Sequence, residues 1–416
     1  MLACCTKKWI KIDMKILHLS NIAGRLGGGV SEVVHAFLRH QCKFGVSSFL
    51  WFVGRKKQED EIARDNKIDK NRLTALDFHF FPSPYFFSKL KKNNNNDFLI
   101  HQHGIFLPTS LLTLSAGKKT KTIISPHGYL EPEKLKVSPR RKKVVLALFE
   151  NRNLKSCDCL VACSEQEAIS LRNFGLSQPI VILPNGVNES LVRKNPPNRN
   201  DLAFKLKYDI RLNTRVLLFL SRIHPFKGLD LFLECILAIK DEFRKNNWIF
   251  VIAGTNELSH ERELKIFVES NDINDIVRFV GPQYGQDKVD AFDSADCFVL
   301  PSKGENFGIA VIEALARGLP VITTRTTPWK ELEDLDCGWW IRRTKNDFIN
   351  TLLKLFSKDE NNLIQMGKNG IELVESKYTW PKVSQQSIQM YKWVLNDFSE
   401  KYRKGFTLFK SNDLKR

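Results

Sequence analysis

The chain has 416 residues, 43% of them hydrophobic and 26% charged, and a formal net charge of +18. That length accommodates two domains with large cores, and the composition is that of a globular rather than a disordered chain. No run of eighteen apolar residues is present to cross a bilayer as a helix.

The basic excess is uneven. Residues 1–200 carry 32 Lys and Arg against 16 Asp and Glu, residues 201–400 carry 26 against 29, and residues 401–416 carry 6 against 1. Such asymmetry points to an anionic partner for the first half, a membrane surface or a nucleic acid, with a solvated basic face as the plain alternative. The nine cysteines are scattered. Their one cluster, Cys157, Cys159 and Cys163, lacks the second ligand pair that zinc wants, so buried thiols in a reducing compartment are expected.

In chain order, residues 1–13 hold no apolar stretch ahead of Cys4-Cys5, so no usable secretion signal is read there, and Met14 is the expected start. Apolar runs at Ile16–Ser20, Ser48–Val53, Phe98–His101, Thr122–Ser125, Cys159–Ala162 and Ile180–Leu183 predict strands. Helical patterns over Gly29–Gln41, Arg141–Ser156 and Glu165–Asn173 lie between them. A second series of strands is predicted at Arg215–Leu220, Trp248–Ala253, Val277–Val280, Cys297–Leu300 and Val321–Thr323. The polar, proline-containing stretch Asn195–Asn200 separates the two series as a linker. Alternating strands and helices predict α/β architecture: two doubly wound parallel-sheet domains that bind ligands at the carboxyl ends of their strands. Three segments break the repeat: the aromatic run 78–87, the asparagine-rich turn 91–96 and the basic cluster Arg140-Arg141-Lys142-Lys143. Aromatic and basic elements together suit a surface touching lipid headgroups.

Gly24–Gly29, reading G-x-x-G-G-G, follows the first strand and opens a helix, where close backbone approach and a helix N-terminus favour phosphate. It is not the spaced dinucleotide fingerprint. After the first strand of the second series comes Ser221-Arg222-Ile223-His224-Pro225-Phe226-Lys227-Gly228, whose two cations emerge at a sheet's carboxyl end. After Cys297–Leu300 comes a glycine-containing loop leading into a helix, with Glu305 and Glu313 eight positions apart, ~12 Å if the stretch were wholly helical. Carboxylates at that separation can accept from two sets of hydroxyls across a diphosphate bridge. The bland alternative is a turn glutamate and a solvated helix glutamate.

The order Arg222-x4-Lys227-Gly228, then Glu305-x-Phe307-Gly308-x4-Glu313, closely resembles the retaining nucleotide-sugar glycosyltransferases of the GT4 family (group 1), which have the GT-B fold. Gly27–Gly29, Ser125-Pro126-His127-Gly128 and Pro184-Asn185-Gly186-Val187 support the resemblance. Ser221 stands where a glycine often precedes the arginine, and Gly304 is offset from the commonest arrangement.

The resemblance implies two Rossmann-like domains facing a cleft. Residues 14–195 would bind acceptor, with the tail 385–416 packing back on them, and residues 201–384 would bind donor. It implies that Arg222 and Lys227 hold the diphosphate, Glu305 with Asn306, Phe307 and Gly308 the hexose, and Glu313 the ribose. His127 would touch the sugar, Gly28 and Gly29 would lie beside the diphosphate, and the backbone near Gly281 would read the base. No metal and no cofactor are expected, because Arg222 and Lys227 could supply the charge and no DxD-like pair ends a strand. The expected partners are a nucleotide diphosphate sugar, a glycan or polyprenyl-linked acceptor and an anionic membrane surface, with no nucleic acid. The expected location is cytoplasmic, peripheral on the inner face of the membrane. A non-catalytic nucleotide-sugar-binding protein and an epimerase of the same fold are the alternative functions. His101-Gln102-His103-Gly104 also ends a strand, where a structural cap is as good a reading as a functional one.

Overall fold

The computed structural model describes residues 14–21, 28–76, 85, 87–88, 98–116, 120–193 and 202–410. The glycine loop up to Gly27, most of the aromatic run 78–87, the asparagine-rich turn and the linker 195–200 lie outside them. The chain divides into two compact units, residues 1–185 with 380–416, and residues 186–379. The division thus falls ten residues before the polar stretch expected to mark it.

In the first unit, strands β1 (Lys15–Ser20), β2 (Ser47–Val53), β3 (Leu73–Leu76), β4 (Phe98–His103), β5 (Lys121–Ser125), β6 (Cys159–Ala162) and β7 (Ile180–Ile182) form a parallel sheet. The second unit holds β8 (Arg215–Leu220), β9 (Trp248–Ala253), β10 (Val277–Gly281), β11 (Cys297–Leu300), β12 (Val321–Thr324) and β13 (Gly338–Ile341). Near the C-terminus β14 (Thr407–Leu408) adds to β7 as an antiparallel edge of the first sheet. The orders are β14-β7-β6-β5-β4-β1-β2-β3 and β10-β9-β8-β11-β12-β13. Strand order therefore reverses between β1 and β4 in one sheet and between β8 and β11 in the other, and ligands of such sheets bind at those reversals.

Strands covered on both faces read as continuous apolar runs, and Trp248-Ile-Phe-Val-Ile-Ala253 is buried at every position. Around it Phe232 meets Phe250 and Phe348, and Phe243 meets Phe356, edge to face with centroids 5.0–5.3 Å apart. Each buried ring contributes about 1.5–3 kcal/mol of transfer free energy. In the first unit the helix Trp380–Leu395 returns to pack on the helix Gly28–Lys43, with Phe37 and Trp380 5.5 Å apart. Its Tyr391 and Trp393 are buried with Val33 and Phe37.

Two expectations need correction. The strands β3, β13 and β14 were not expected, because each is opened or broken by Thr or Gly where the equally short β6 and β11 are unbroken apolar runs. The single helix expected over Arg141–Ser156 is instead Pro139–Val145 and Asn151–Ser156 joined by a π-helical turn, Leu146–Glu150. At that turn the buried Glu150 accepts hydrogen bonds from the Phe106 amide at 2.7 Å and the Ser110 hydroxyl at 2.8 Å, and burial raises its pKa. A buried carboxylate needs such donors, and no local pattern announces them.

Candidate active site

Lys227 ends a short 3-10 turn, Pro225–Lys227, after β8, and the His224 ring caps it by accepting from the Phe226 amide at 3.0 Å. Gly228 follows with φ 77°, and a Cβ built there would stand 2.2 Å from the Pro301 carbonyl oxygen. Only glycine lets the loop after β8 lie this close to the end of β11. The Lys303 amide donates to the Phe226 carbonyl at 2.9 Å and clips the two loops together.

This clip brings Lys227 Nζ to 2.5 Å from Glu305 Oε1, and Ser302 Oγ donates to the same oxygen at 2.6 Å. Both charged side chains are largely covered, 12% and 13% exposed. The backbone of Ser302 is fixed in turn, its carbonyl accepting from Thr324 Oγ1 at 2.8 Å and Thr326 Oγ1 at 3.0 Å. Glu305 Oε2 has no hydrogen-bond partner among the described residues, and Lys227 keeps N–H donors beyond the one spent on Glu305. An ammonium and a carboxylate oxygen are therefore presented together at the sheet's reversal, one suited to phosphate and the other to hydroxyls.

Beyond Glu305, Gly308 (φ 82°) starts the helix Ile309–Ala316. Phe307 is buried against Trp329 and Tyr378, with centroids 5.1 and 5.9 Å away, and Trp329 Nε1 donates to the Phe307 carbonyl at 2.5 Å. This packing holds the loop rigidly at the helix N-terminus, where backbone amides favour an anion. Glu313, one face further along, is not the solvated residue of the bland reading. It is 7% exposed and takes a 2.5 Å contact from Lys288, on the helix Gly285–Asp293.

Lys288 and Ser302 were missed from the sequence. Ser302 sits in the motif run without a signal of its own, and Lys288 is one lysine on an amphipathic helix. Arg222 is 61% exposed, and its guanidinium contacts Glu257 at 3.0 Å, beyond β9, a partner the sequence did not suggest. Gly281 closes β10 with φ 71° and nothing within 4 Å of a built Cβ. Asn306 is half-buried beside Glu305.

In the first unit Gly28 and Gly29 are the first residues of the helix after β1. His127 follows β5 in a left-handed conformation, φ 54°. Its loop is held by Glu167, which accepts from the Gly128 amide at 2.5 Å and the Cys163 amide at 2.8 Å. His127 Nε2 lies 3.1 Å from His103 Nδ1, and His103 Nε2 lies 2.9 Å from His18 Nδ1. Burial depresses His18 and His127 to about 4 and holds His101 and His103 well below the ordinary histidine value. The strand-end run His101–Gly104 is therefore part of a buried polar array and not merely a cap.

Residues 202–373 match the sequence profile of group 1 glycosyl transferases, and residues 27–191 match that of glycosyltransferase family 4. The chain belongs to the group 1 glycosyltransferases. A relative in this group is the D-inositol 3-phosphate glycosyltransferase of Saccharomonospora viridis, 29% identical over 181 residues, a match covering 42% of each protein. The matched region is thus less than half the length of that relative. A similar fold is seen in a glycosyltransferase from Rickettsia africae, with a TM-score of 0.72 at 17% identity over 92% of this chain and 99% of that one. Anabaena HepE, solved with UDP and glucose, gives a TM-score of 0.70 at 16% identity over 91% and 99%. These likenesses identify the GT-B fold.

Proposed function

We propose that this chain transfers a hexose from a nucleotide diphosphate sugar to a hydroxyl of a glycan or lipid-linked saccharide, with retention at the anomeric carbon, in cell-surface polysaccharide assembly. The observation that carries the reading is the Lys227–Glu305 pair, anchored by Ser302 at the β8/β11 reversal. Lys227 and Arg222 would neutralise the charge growing on the departing diphosphate. Glu305, Asn306 and the amides of Phe307 and Gly308 would orient the hexose, Glu313 would accept from the ribose hydroxyls, and the backbone at Gly281 would meet the base. His127, with Gly28 and Gly29, would act from the first unit. The bond from the anomeric carbon to the diphosphate oxygen breaks as the bond to the acceptor oxygen forms on the same face. The acceptor proton passes to the departing diphosphate oxygen.

HepE was solved with UDP and glucose, so uridine diphosphate glucose is the first donor to test, with guanosine diphosphate sugars beside it. The relatives named for inositol 3-phosphate place a phosphorylated polyol among the acceptors to try. The deciding experiment incubates the purified chain with these donors and follows donor hydrolysis, transfer and thermal stabilisation. Stabilisation without turnover of any donor would identify a non-catalytic binding protein. Conversion to an epimeric sugar nucleotide would identify an epimerase.

Membrane attachment is supported by one surface. Arg140, Arg141 and Lys143 are exposed on Pro139–Val145 beside Val137, Val144 and Leu148, which are 62%, 57% and 73% exposed. Basic and apolar side chains mixed in this way suit an anionic lipid surface on the inner face of the cytoplasmic membrane. Among the described residues no helix is long and apolar enough to cross a membrane.

A further inference from the structure

In the first unit the buried His18 and His103 and the half-buried His127 form a column whose hydrogen bonds have one direction. It is anchored at Gln41, whose Oε1 faces His18 Nε2 at 3.0 Å and accepts from Ser48 Oγ at 2.7 Å. Its Nε2 donates to Ser387 Oγ at 3.0 Å and Tyr391 Oη at 3.3 Å. This amide orientation satisfies the neighbouring hydroxyls. Ser387 Oγ donates to the Ser384 carbonyl at 2.8 Å, and Tyr391 Oη lies 2.8 Å from His101 Nδ1, whose other nitrogen lies 2.7 Å from Ser125 Oγ. Turned over, the amide would set its oxygen against Ser387 Oγ, whose proton is spent on the Ser384 carbonyl.

With an acceptor at Gln41 Oε1, His18 must carry its proton on Nε2. A neutral imidazole has one donor and one acceptor nitrogen, so His18 Nδ1 accepts and His103 Nε2 donates to it. His103 Nδ1 then accepts, and His127 Nε2 donates. The burial that keeps these rings neutral keeps the sequence of donors single-valued. His127 Nδ1 is left with a lone pair and no protein partner among the described residues.

We propose that His103 and His18, anchored by Gln41, are positioning residues that set His127 in its Nε2-protonated tautomer, so that Nδ1 offers a hydrogen-bond acceptor to a sugar hydroxyl and disfavours a phosphate or carbonyl oxygen. The sugar in this statement rests on the function proposed above; the tautomer does not. His18, His101 and His103 also lie close enough together to share a metal ion. Each of their ring nitrogens already has a hydrogen-bond partner, which favours a closed network over an open ligand set.

The test is nitrogen-15 NMR of the full chain labelled at histidine, with the His127 ring assigned from the spectrum of His127→Asn. At neutral pH the wild type is expected to show a protonated Nε2 and a bare Nδ1 at His127. The opposite tautomer, or an averaged mixture, overturns the proposal. His103→Leu is expected to give a mixture at His127 and at least a tenfold loss of transfer, while UDP still stabilises the protein. His103→Asn, which returns an acceptor oxygen near the Nδ1 position, is expected to restore the single tautomer. An unchanged His127 in His103→Leu also overturns the proposal, and if that variant does not fold the wild-type spectrum decides alone. Zinc that shifts the His18 and His103 resonances together would overturn it in favour of a metal site. A chain that transfers no sugar defeats the proposed function and leaves the tautomer measurement standing.

Discussion

Lys227 and Glu305 stand 78 positions apart in the chain and meet at 2.5 Å, with Ser302 donating to the same carboxylate oxygen. Each is therefore the other's partner before any ligand arrives. Lys227→Ala and Glu305→Ala are expected to lower transfer by at least ~100-fold. The stability cost should be about 1–3 kcal/mol for the partner left behind. Steady-state assays and thermal melts check both numbers. Full activity in either folded variant would sink the assignment.

Glu305 and Glu313 should fail differently. Glu313 sits buried against Lys288 and is read as the ribose ligand. Glu313→Gln should weaken binding of the nucleotide alone, whereas Glu305→Gln should leave nucleotide binding intact and lower turnover. Calorimetry with UDP separates the two. Equal losses of UDP affinity would show that the carboxylates do not divide the donor between them.

Gly228→Ala should be costly for two reasons, a left-handed φ of 77° and a Cβ 2.2 Å from the Pro301 carbonyl. A loss of about 2–4 kcal/mol is expected. Gly175→Ala is the control. Its φ is 89° but its built Cβ meets nothing within 4 Å, so backbone strain of about 1–2 kcal/mol remains. Chemical denaturation of both variants measures the difference, and equal losses would remove the close approach as the cause.

Acid should destabilise the first unit through its histidines. His18, His35, His40 and His127 are depressed by burial from 6.5 to about 4. Between those values the unfolded chain binds protons that the folded one does not. Their stabilising contribution is therefore present above about pH 6.5 and is lost as pH falls towards 4. Each such histidine contributes about 1.4 kcal/mol per pH unit across that window. Denaturation midpoints from pH 7 to pH 4 should fall, and His35→Gln should make the slope shallower. A flat profile would contradict the buried, neutral rings.

Charge reversal at Arg140, Arg141 and Lys143 should abolish co-sedimentation with vesicles containing anionic lipid while leaving transfer to a water-soluble acceptor unchanged. Wild-type binding should weaken as salt rises, because exposed charges are screened within about 10 Å at 0.1 M. Binding that ignores lipid charge and salt would count against a peripheral membrane enzyme.

Much of the architecture was legible because its signals are local. Cys159–Ala162, Arg215–Leu220 and Trp248–Ala253 are short apolar runs between polar loops, and all three form strands with those limits. Gly338–Ile341 carries two tryptophans that are only half-buried, and its pairing with β12 rests on the close approach of Gly338 to Val321. Nothing within four residues could announce that contact. The π-helical turn at Leu146–Glu150 was illegible for the same reason, since the partners of Glu150 include Phe106 and Ser110, some forty positions away.

The sequence by itself determined the order of the strands along the chain and the loops that follow β8 and β11, with Arg222, Lys227, Glu305 and Glu313 on or beside them. Spacing after a strand is a property of neighbouring residues, and glycine and proline mark it. The tertiary structure alone decided the partners. It turned Arg222 to Glu257, set Lys288 against Glu313, placed Ser302 under Glu305 and lined up Gln41, His18, His103 and His127. Buried polar groups must find complementary donors and acceptors wherever the fold brings them, and residues distant in sequence supply these.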